Sequence, residues 1–434
     1  MISLMDRRRF LVTSGLAVLA TRLSQLSSRA AGQPPLASHI KRVLFLGDSI
    51  TYAGHYVDYV EAIWRLRFPD SQVEFLDLGL PSETVSGLSE PGHAGGKFPR
   101  PDLHERLDRV LAQTKPQLVI ACYGMNDGIY HPPSDERLAA YQQGILKLRL
   151  KVEAAGAKII HLTPPVFDAQ PIKDKTLPAG QAVYEKPYAG YDEVLTRYSE
   201  WLLQQRDFGW EVHDVHGPML QALAARRSQN PEFTFAKDGV HADANGHWVM
   251  AQALLQGWKL GPDVESASVN FSQRRILLGR LTDLQVWKDA CSFSWGTTLR
   301  LPYDPKWDAT TLATVSSLVR REVKVLSLPA GDFQIKVDGA ELLKQSHKVL
   351  HQGFDLLQQN KSTLHGRGAE LLKLVSQRRK LLSDAWLTQT GHQRPGMAKG
   401  LPVAEAEAKA AELARQIRNF AAPVALKVEI LKME

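Results

Sequence analysis

Two kinds of apolar pattern alternate along residues 41–262. Short, almost continuous apolar runs are typical of strands buried on both faces, and the longer stretches between them carry apolar residues at helical spacing. The predicted strands are Val43–Leu46, Val73–Leu78, Gln117–Cys122, Lys158–Leu162 and Trp210–Val215. The predicted helices are Tyr56–Phe68, Leu103–Leu111, Glu136–Ala154, Tyr191–Gln205 and Gly246–Trp258. This alternation predicts an α/β fold with a parallel sheet covered by helices on both faces.

A different pattern begins after Gly261-Pro262, where we place a linker. Residues 323–328 and 333–337 alternate between apolar and polar positions on either side of a turn-like segment, which predicts a β-hairpin. Helical spacing follows over residues 345–386 and again over residues 402–420. The sequence therefore divides into a domain over residues 38–262 and a β-then-α region over residues 263–434. The role of this second region is left open.

One helical stretch of the second region is basic as well as amphipathic. Leu371 to Leu382 contains Arg378, Arg379 and Lys380 in succession. A solvated helix face is the expected explanation for these charges, in preference to contact with a membrane.

The N-terminal segment resembles an export signal. Arg7-Arg8-Arg9 precedes a modestly apolar stretch, and small residues at positions 28–31 offer a cleavage site. We therefore expect residues 1–31 to be a twin-arginine-type signal and the protein to be periplasmic or at the surface of a bacterium. Whether the signal is cleaved or retained is open. No later segment is apolar enough to predict a membrane span in the mature chain.

Charge and cysteine usage exclude several other classes. The formal net charge is +7, but residues 1–31 hold five arginines against one aspartate and so supply more than half of it. No dense basic stripe with interleaved aromatic residues remains, so nucleic-acid binding is not expected. Cys122 and Cys291 lie far apart and fit neither a disulfide nor a metal pattern. The oligomeric state cannot be predicted.

Four polar motifs follow predicted strands or precede the last helix of the first domain. They are Gly47-Asp48-Ser49, Leu78-Gly79-Leu80-Pro81-Ser82, Tyr123-Gly124-Met125-Asn126-Asp127 and Asp238-Gly239-Val240-His241. Each has an ordinary structural explanation, such as a helix cap at Ser49 or a strand end at Gly79. However, ligands of parallel α/β sheets bind beyond the carboxyl ends of the strands, where these motifs are expected to meet.

Together the four motifs match the needs of acyl transfer from an ester. Ser49 is the candidate nucleophile, His241 the base that removes its proton, and Asp238 the acid that orients the imidazole. The oxyanion of the tetrahedral intermediate needs hydrogen-bond donors, for which the backbone N–H groups of Ser49 and Gly79 and the side-chain amide of Asn126 are candidates. The sequence thus predicts a serine esterase.

The order of these motifs resembles that of the SGNH (GDSL-type) hydrolases, whose four named residues correspond to Ser49, Gly79, Asn126 and His241. The resemblance covers about residues 40–262 and implies a flavodoxin-like three-layer α/β/α fold, a serine esterase mechanism, and neither a metal nor a cofactor. One departure is Asp77, because the family often has an asparagine two residues before the glycine. The resemblance and the export signal together suggest O-acetyl groups on a carbohydrate as the substrate.

Three residues outside the motifs are candidates for substrate binding. His93 lies in a glycine-rich loop, which is equally consistent with a flexible surface loop. Tyr184 and Tyr188 end a proline-rich segment over residues 163–188, where aromatic faces would suit sugar rings or acyl chains. Two alternatives to a carbohydrate esterase stay open: a lipase or thioesterase acting on acyl lipids, and a non-catalytic protein that binds a surface polymer through a hydrolase scaffold.

Overall fold

The computed structural model describes residues 34–297, 301–358, 361–391 and 399–433. The first half is built on a parallel sheet of five strands: β1 (Arg42–Gly47), β2 (Glu74–Asp77), β3 (Leu118–Cys122), β4 (Lys158–Leu162) and β5 (Glu211–His213). Their order is β2-β1-β3-β4-β5, which is the flavodoxin-like order with its switch point between β1 and β3. All five predicted strands are confirmed. The central strands β1 and β3 are almost wholly buried, which explains their continuous apolar sequences.

Helices flank this sheet and supply the rest of its core. They are α1 (Ser49–Ala53), α2 (His55–Arg67), α3 (Leu107–Thr114), α4 (Asp135–Ala154), α5 (Asp192–Gln204), α6 (His216–Arg227) and α7 (Ala244–Gly257). The pattern of the sequence did not predict α1 or α6. The fold class that the sequence predicts is confirmed: a three-layer α/β/α domain with further sheets and helices after it.

The C-terminal half contains two more sheets. Their strands are β6 (Asp263–Asn270), β7 (Arg275–Leu278), β8 (Leu281–Val286), β9 (Ala290–Thr297), β10 (Val319–Leu326), β11 (Asp332–Val337), β12 (Ala340–Ser346), β13 (Phe354–Asp355) and β14 (Val424–Lys432). One sheet has the order β13-β10-β6-β7 and the other β12-β11-β14-β9-β8. The helices are α8 (Ala309–Ser317), α9 (His347–Gln352), α10 (Lys361–Thr390) and α11 (Val403–Ala421).

The predicted C-terminal hairpin is present, but its strands are not the predicted ones. β10 and β11 lie in different sheets, so residues 323–328 and 333–337 do not pair with each other. The hairpin joins β11 to β12 through Asp338 and Gly339, both with left-handed φ, of 49° and 81°. An Asp-Gly pair with two positive φ angles matches the right-handed twist of its strands better than the longer turn at Pro329.

The helix predicted over residues 345–386 is also wrong at its start. Residues 340–346 form β12, and a short helix follows it before Gly353 turns the chain at a φ of 97°. Helical spacing alone does not distinguish one long helix from two elements that are interrupted by such a glycine.

The basic stretch of α10 is not a solvated face. Arg378 and Arg379 are 3% and 7% exposed, because α10 packs along α2 and β2 of the first domain. Their charges are balanced there by buried carboxylates of that domain. The expectation of a solvated helix face is therefore wrong for these two residues.

The predicted export signal at residues 1–31 lies outside the described residues. Over the described ranges, no helix has the length and apolar character needed to cross a bilayer.

Candidate active site

Ser49 is the first residue of α1, directly beyond the carboxyl end of β1. The Asp48 side chain caps this helix by accepting a hydrogen bond from the Ile50 N–H at 2.9 Å. Gly47 allows the sharp turn, since a Cβ atom there would lie 2.2 Å from the Thr51 hydroxyl and 2.7 Å from the Cys122 carbonyl oxygen. The local sequence thus holds the Ser49 hydroxyl at the ligand-binding edge of the sheet.

A continuous chain of hydrogen bonds joins the three residues predicted to be catalytic. Ser49 Oγ lies 2.8 Å from His241 Nε2, and His241 Nδ1 lies 2.6 Å from Asp238 Oδ2. The other oxygen of Asp238 accepts hydrogen bonds from the backbone N–H groups of Val240 and His241, at 3.0 and 2.8 Å. The carboxylate is therefore fixed by the same loop that carries the imidazole.

The imidazole and its carboxylate are open to solvent. The side chains of His241 and Asp238 are 51% and 56% exposed. Partial burial disfavours the charge of Asp238, yet its hydrogen bonds from the His241 side chain and from two backbone N–H groups keep its pKa below the usual value. Asp238 is thus a carboxylate at neutral pH and favours a proton on Nδ1, which leaves Nε2 free to accept one from Ser49.

Asn126 is almost fully buried and its amide orientation is fixed by its partners. Its Oδ1 accepts hydrogen bonds from Arg100 Nη1 at 3.0 Å and from the Tyr130 hydroxyl at 3.1 Å, while its Nδ2 donates to the Glu83 carbonyl oxygen at 3.2 Å. An amide nitrogen carries two hydrogens, so one N–H of Asn126 is left for another acceptor.

Arg100 and Tyr130 are functional candidates that the sequence did not reveal. Arg100 is held by Glu90 through two hydrogen bonds of 2.6 Å, and its guanidinium lies 5.3 Å from the centre of the Tyr130 ring. Ile129 and Tyr130 both have left-handed φ angles, of 49° and 58°. Left-handed backbone at a β-branched residue is rare, and only coordinates reveal it.

Gly79 does not present a free N–H. Its N–H donates to Asp77 Oδ1 at 2.9 Å, so the predicted role as an oxyanion donor requires this bond to be shared or broken. The structure gives another reason for a glycine here. A Cβ atom at Gly79 would lie 2.3 Å from the backbone nitrogen of Tyr52, because the loop after β2 packs directly against α1.

Ser82 lies three residues further along this loop, at the end of the Leu78–Ser82 motif, and the sequence assigned it no role of its own. It adopts a left-handed φ of 65°, and its neighbour Glu83 is the residue whose carbonyl oxygen binds Asn126. In the described part of the chain, the Ser82 N–H has no recorded hydrogen-bond acceptor. The loop thus brings an unengaged backbone donor close in sequence to the Asn126 contact. A positive φ at a serine has no sequence signal, so the motif did not indicate this conformation.

Two motif residues, Asp48 and Asp127, are buried carboxylates. Burial raises the pKa of Asp48 to about 7 and that of Asp127 to about 6. Asp127 Oδ1 accepts hydrogen bonds from the backbone N–H groups of Val85 and Ser86, each at 2.8 Å. Asp127 therefore anchors the end of the β2 loop to the loop that carries Asn126.

The three candidate substrate-binding residues contact other parts of the structure. His93 lies 3.8 Å from Glu90, the carboxylate that holds Arg100. Tyr184 donates its hydroxyl to the Pro178 carbonyl oxygen, and its ring centre is 6.2 Å from that of Tyr188. Tyr188 donates its N–H to the Tyr130 carbonyl oxygen. A role for these residues in substrate binding stays a prediction.

No group of three or more histidine, cysteine, aspartate or glutamate side chains in the described ranges is arranged to hold a metal ion.

Comparisons with known proteins agree with this geometry. Residues 45–249 match the model of the GDSL-like lipase/acylhydrolase family. No curated protein matches the chain. Among solved structures, BT4096, described as a gut microbial diltiazem-metabolizing enzyme, is 18% identical with a TM-score of 0.70, and the match covers 93% of this chain and 100% of that one. Its fold is therefore similar over both halves of this protein.

A second solved structure matches about half of this chain. It is a catalytic mutant of Axe2, an acetylxylan esterase from Geobacillus stearothermophilus, at 20% identity and a TM-score of 0.38, with 52% of this chain and 96% of that chain covered. The family match begins within β1 and ends within α7, and it includes Ser49, Asn126, Asp238 and His241. Residues 45–249 therefore form a GDSL-like lipase/acylhydrolase domain, and the protein is an ester-bond hydrolase.

Proposed function

We propose that this hydrolase is an exported serine esterase that removes short acyl groups, with O-acetyl groups on a carbohydrate as the first candidate substrate. Ser49 is the nucleophile, His241 the general base and acid, and Asp238 the residue that orients the imidazole. The observation that carries this proposal is the pair of hydrogen bonds, of 2.8 and 2.6 Å, that joins the three side chains. Such an arrangement activates a hydroxyl that is otherwise a weak nucleophile.

In the first half of the reaction, Ser49 Oγ attacks the ester carbonyl carbon while its proton moves to His241 Nε2. The imidazolium that forms is stabilised by the carboxylate of Asp238, which accepts the Nδ1 hydrogen bond. The tetrahedral intermediate then collapses as His241 returns the proton to the leaving alcohol. An acyl group remains on Ser49.

The oxyanion is stabilised by donors on the loops around Ser49. We assign this role to the Ser49 N–H and to the free N–H of Asn126 Nδ2, whose orientation Arg100 and Tyr130 fix through Oδ1. The Ser82 N–H is the third candidate, whereas Gly79 would first have to release Asp77. Each well-placed donor contributes about 3–4 kcal/mol to stabilisation of the transition state.

In the second half, water replaces the alcohol. His241 removes a proton from this water, the hydroxide attacks the acyl carbon, and the same donors hold the second oxyanion. Protonation of Ser49 Oγ by His241 releases the carboxylic acid and restores the enzyme.

The exposure of the proposed triad supports a large polar substrate. Because the imidazole is about half exposed, an ester displayed on a polymer could approach Ser49 and His241 without the whole molecule being enclosed. The twin-arginine-type segment would deliver the folded enzyme to a compartment where such polymers occur. Drug-like esters should also be tested as substrates, because the solved structure BT4096, whose fold is similar over both halves, is described as a diltiazem-metabolizing enzyme.

Hydrolysis of p-nitrophenyl acetate by the wild type and by Ser49→Ala tests the proposal. We expect Ser49→Ala and His241→Ala each to lose most of kcat, by about 10⁴-fold or more, and the double variant to be hardly worse, since the residues act as a unit. Ser38→Ala is the matched control, because it removes an exposed serine hydroxyl that precedes β1 and belongs to none of the candidate site residues. Equal rates for wild type and Ser49→Ala would overturn the mechanism.

A further inference from the structure

We propose that Arg379, on α10 of the C-terminal half, is a positioning residue that holds the loop after β2 through Asp77. The inference rests on the proposed function, because this loop carries the backbone groups next to the proposed oxyanion site. It assigns the C-terminal half a part in the reaction that the hydrolase domain alone does not supply.

Every nitrogen of the Arg379 guanidinium group has a partner in the hydrolase domain. Nε lies 2.7 Å from Asp58 Oδ1, Nη1 lies 3.2 Å from Asp77 Oδ2, and Nη2 donates to the Ala53 carbonyl oxygen at 3.2 Å. Asp58 and Asp77 are 2% and 0% exposed, so these ion pairs are shielded from water. One side chain from the C-terminal half therefore joins three parts of the catalytic half.

Two of these contacts lead directly to the proposed catalytic groups. Asp77 uses its second oxygen, Oδ1, to accept the N–H of Gly79, so the carboxylate links the guanidinium to the loop that continues to Ser82. Ala53 is the last residue of α1, the helix that begins at Ser49. Arg379 thus fixes the loop and the nucleophile's helix relative to each other.

Two glycines make room for this arrangement. A Cβ atom at Gly54 would lie 2.0 Å from the Arg379 Cζ atom, and Gly54 also has a left-handed φ of 76°. A Cβ atom at Gly79 would meet the backbone of α1. The guanidinium therefore occupies space that any other residue at position 54 would fill, and the loop lies against α1 without a gap.

The charge of Asp77 explains why an arginine is needed. Burial raises the pKa of Asp77 and of Asp58 to about 6 each, and Arg379 is the main group that opposes this effect. Without the guanidinium, two buried carboxylates would lie close together with no cation bound to either. An asparagine at position 77 could accept the Gly79 N–H without a charge, so it would need no such partner.

An asparagine at position 77 should therefore rescue activity that is lost when Arg379 is replaced. In Arg379→Met we expect kcat for p-nitrophenyl acetate to fall about 10- to 100-fold with KM nearly unchanged, because a misplaced loop weakens transition-state binding more than substrate binding. In Asp77→Asn/Arg379→Met we expect kcat to recover at least about 5-fold over Arg379→Met. Arg379→Lys should lie between wild type and Arg379→Met, since an ammonium group cannot contact Asp58, Asp77 and Ala53 together.

Arg378→Met is the matched control. Arg378 is the neighbouring buried arginine on the same helix, but it contacts Glu61 and the Phe75 carbonyl oxygen, each at 3.4 Å, and not the loop. We expect it to lower the melting temperature while kcat stays within about 3-fold of the wild type. If Arg379→Met is insoluble, Arg379→Lys and Asp77→Asn/Arg379→Lys give the same comparison.

The outcomes separate this inference from the proposed function. Equal losses of kcat in Arg378→Met and Arg379→Met, or no recovery in the double variant, would overturn the positioning role. Wild-type activity in Ser49→Ala would instead overturn the proposed function. An inactive Ser49→Ala beside a fully active Arg379→Met would contradict the positioning role alone.

Discussion

Asp48 illustrates how a residue next to the proposed nucleophile combines a structural role with an electrostatic penalty. It caps α1 through the Ile50 N–H, but it is only 3% exposed, and burial raises its pKa to about 7. An acid whose pKa is raised by folding binds protons more tightly in the native state than in the unfolded state. Its contribution to stability is therefore complete at acidic pH and is lost as pH rises from about 4 to about 7.

We therefore predict that Asp48→Asn becomes more favourable for stability as the pH increases. Asparagine caps a helix as well as aspartate does, so the capping bond is kept while the buried charge is removed. Relative to the wild type, the free energy of unfolding of this variant should rise by up to about 4 kcal/mol between pH 4 and pH 8.

Urea unfolding at both pH values measures this difference. Asp70→Asn, at an exposed position before β2, is the control and should show no such change. An Asp48→Asn effect that is the same at pH 4 and pH 8 would contradict the raised pKa.

The residues of the proposed site differ in how far sequence predicts them. Ser49, Asn126, Asp238 and His241 follow or precede regular elements in a recognisable order, and the structure brings Ser49, Asp238 and His241 into direct contact. Arg100, Tyr130 and Arg379 belong to none of the four motifs, and Ser82 belongs to one that does not indicate its backbone conformation. Their positions depend on loop conformation or on contacts between residues about 300 positions apart, which no local pattern records.

At the scale of elements, the loop after β2 is defined by its contact with α1. Gly79 lies where a Cβ atom would be 2.3 Å from the Tyr52 nitrogen and 2.7 Å from the Thr51 carbonyl carbon. Both of these are backbone atoms, so the clash cannot be relieved by a side-chain rotation. The loop or the helix would have to move.

Gly79→Ala should therefore reduce both stability and activity. We expect a loss of about 1–3 kcal/mol in the free energy of unfolding, as in other overpacked sites, together with a lower kcat. The matched control is Gly92→Ala, in the exposed glycine-rich loop, where a Cβ atom has nothing within 4 Å and φ is −83°. It should change the free energy of unfolding by no more than about 0.5 kcal/mol.

Circular dichroism melts measure the stability of the two alanine variants, and steady-state kinetics measure their kcat. Similar behaviour of Gly79→Ala and Gly92→Ala would show that the loop tolerates displacement from α1.

The strands of the first half were predictable because a short, continuously apolar run between helical stretches indicates a buried parallel strand. Buried parallel strands are continuously apolar, and the five runs that contain them stand out. In the C-terminal half, strands such as β10 and β11 alternate in the same way and could pair with any neighbour. Pairing there was set by the Asp338-Gly339 turn and by β14, which arrives from about 90 residues further along the chain.

At the scale of the whole molecule, the two halves share one hydrophobic core. A single cluster of buried apolar residues extends from Leu36 to Ile430. Polar contacts reinforce it: the Tyr59 hydroxyl donates to Asp304 at 2.7 Å, and Trp248 Nε1 donates to the Thr314 hydroxyl at 2.7 Å. The sequence pattern changes at residue 262, but the hydrophobic core continues across this position.

We predict that the protein unfolds in one thermal transition. If the halves depend on each other for buried contacts, the calorimetric and van't Hoff enthalpies of unfolding should agree, as they do for a cooperative unit. Differential scanning calorimetry of the full chain measures both. Two resolved transitions, or a calorimetric enthalpy about twice the van't Hoff value, would show that the halves fold independently.

The central claim is that Ser49 is the nucleophile activated by His241, and covalent labelling tests it most directly. After incubation with a fluorophosphonate, which reacts with activated serine hydroxyls, the intact mass should increase by one phosphonyl group, and peptide mapping should locate it on Ser49. Ser49→Ala should take up none, and His241→Ala should react far more slowly. An adduct on any other residue, or an unlabelled wild type beside a labelled control serine hydrolase, would contradict the account.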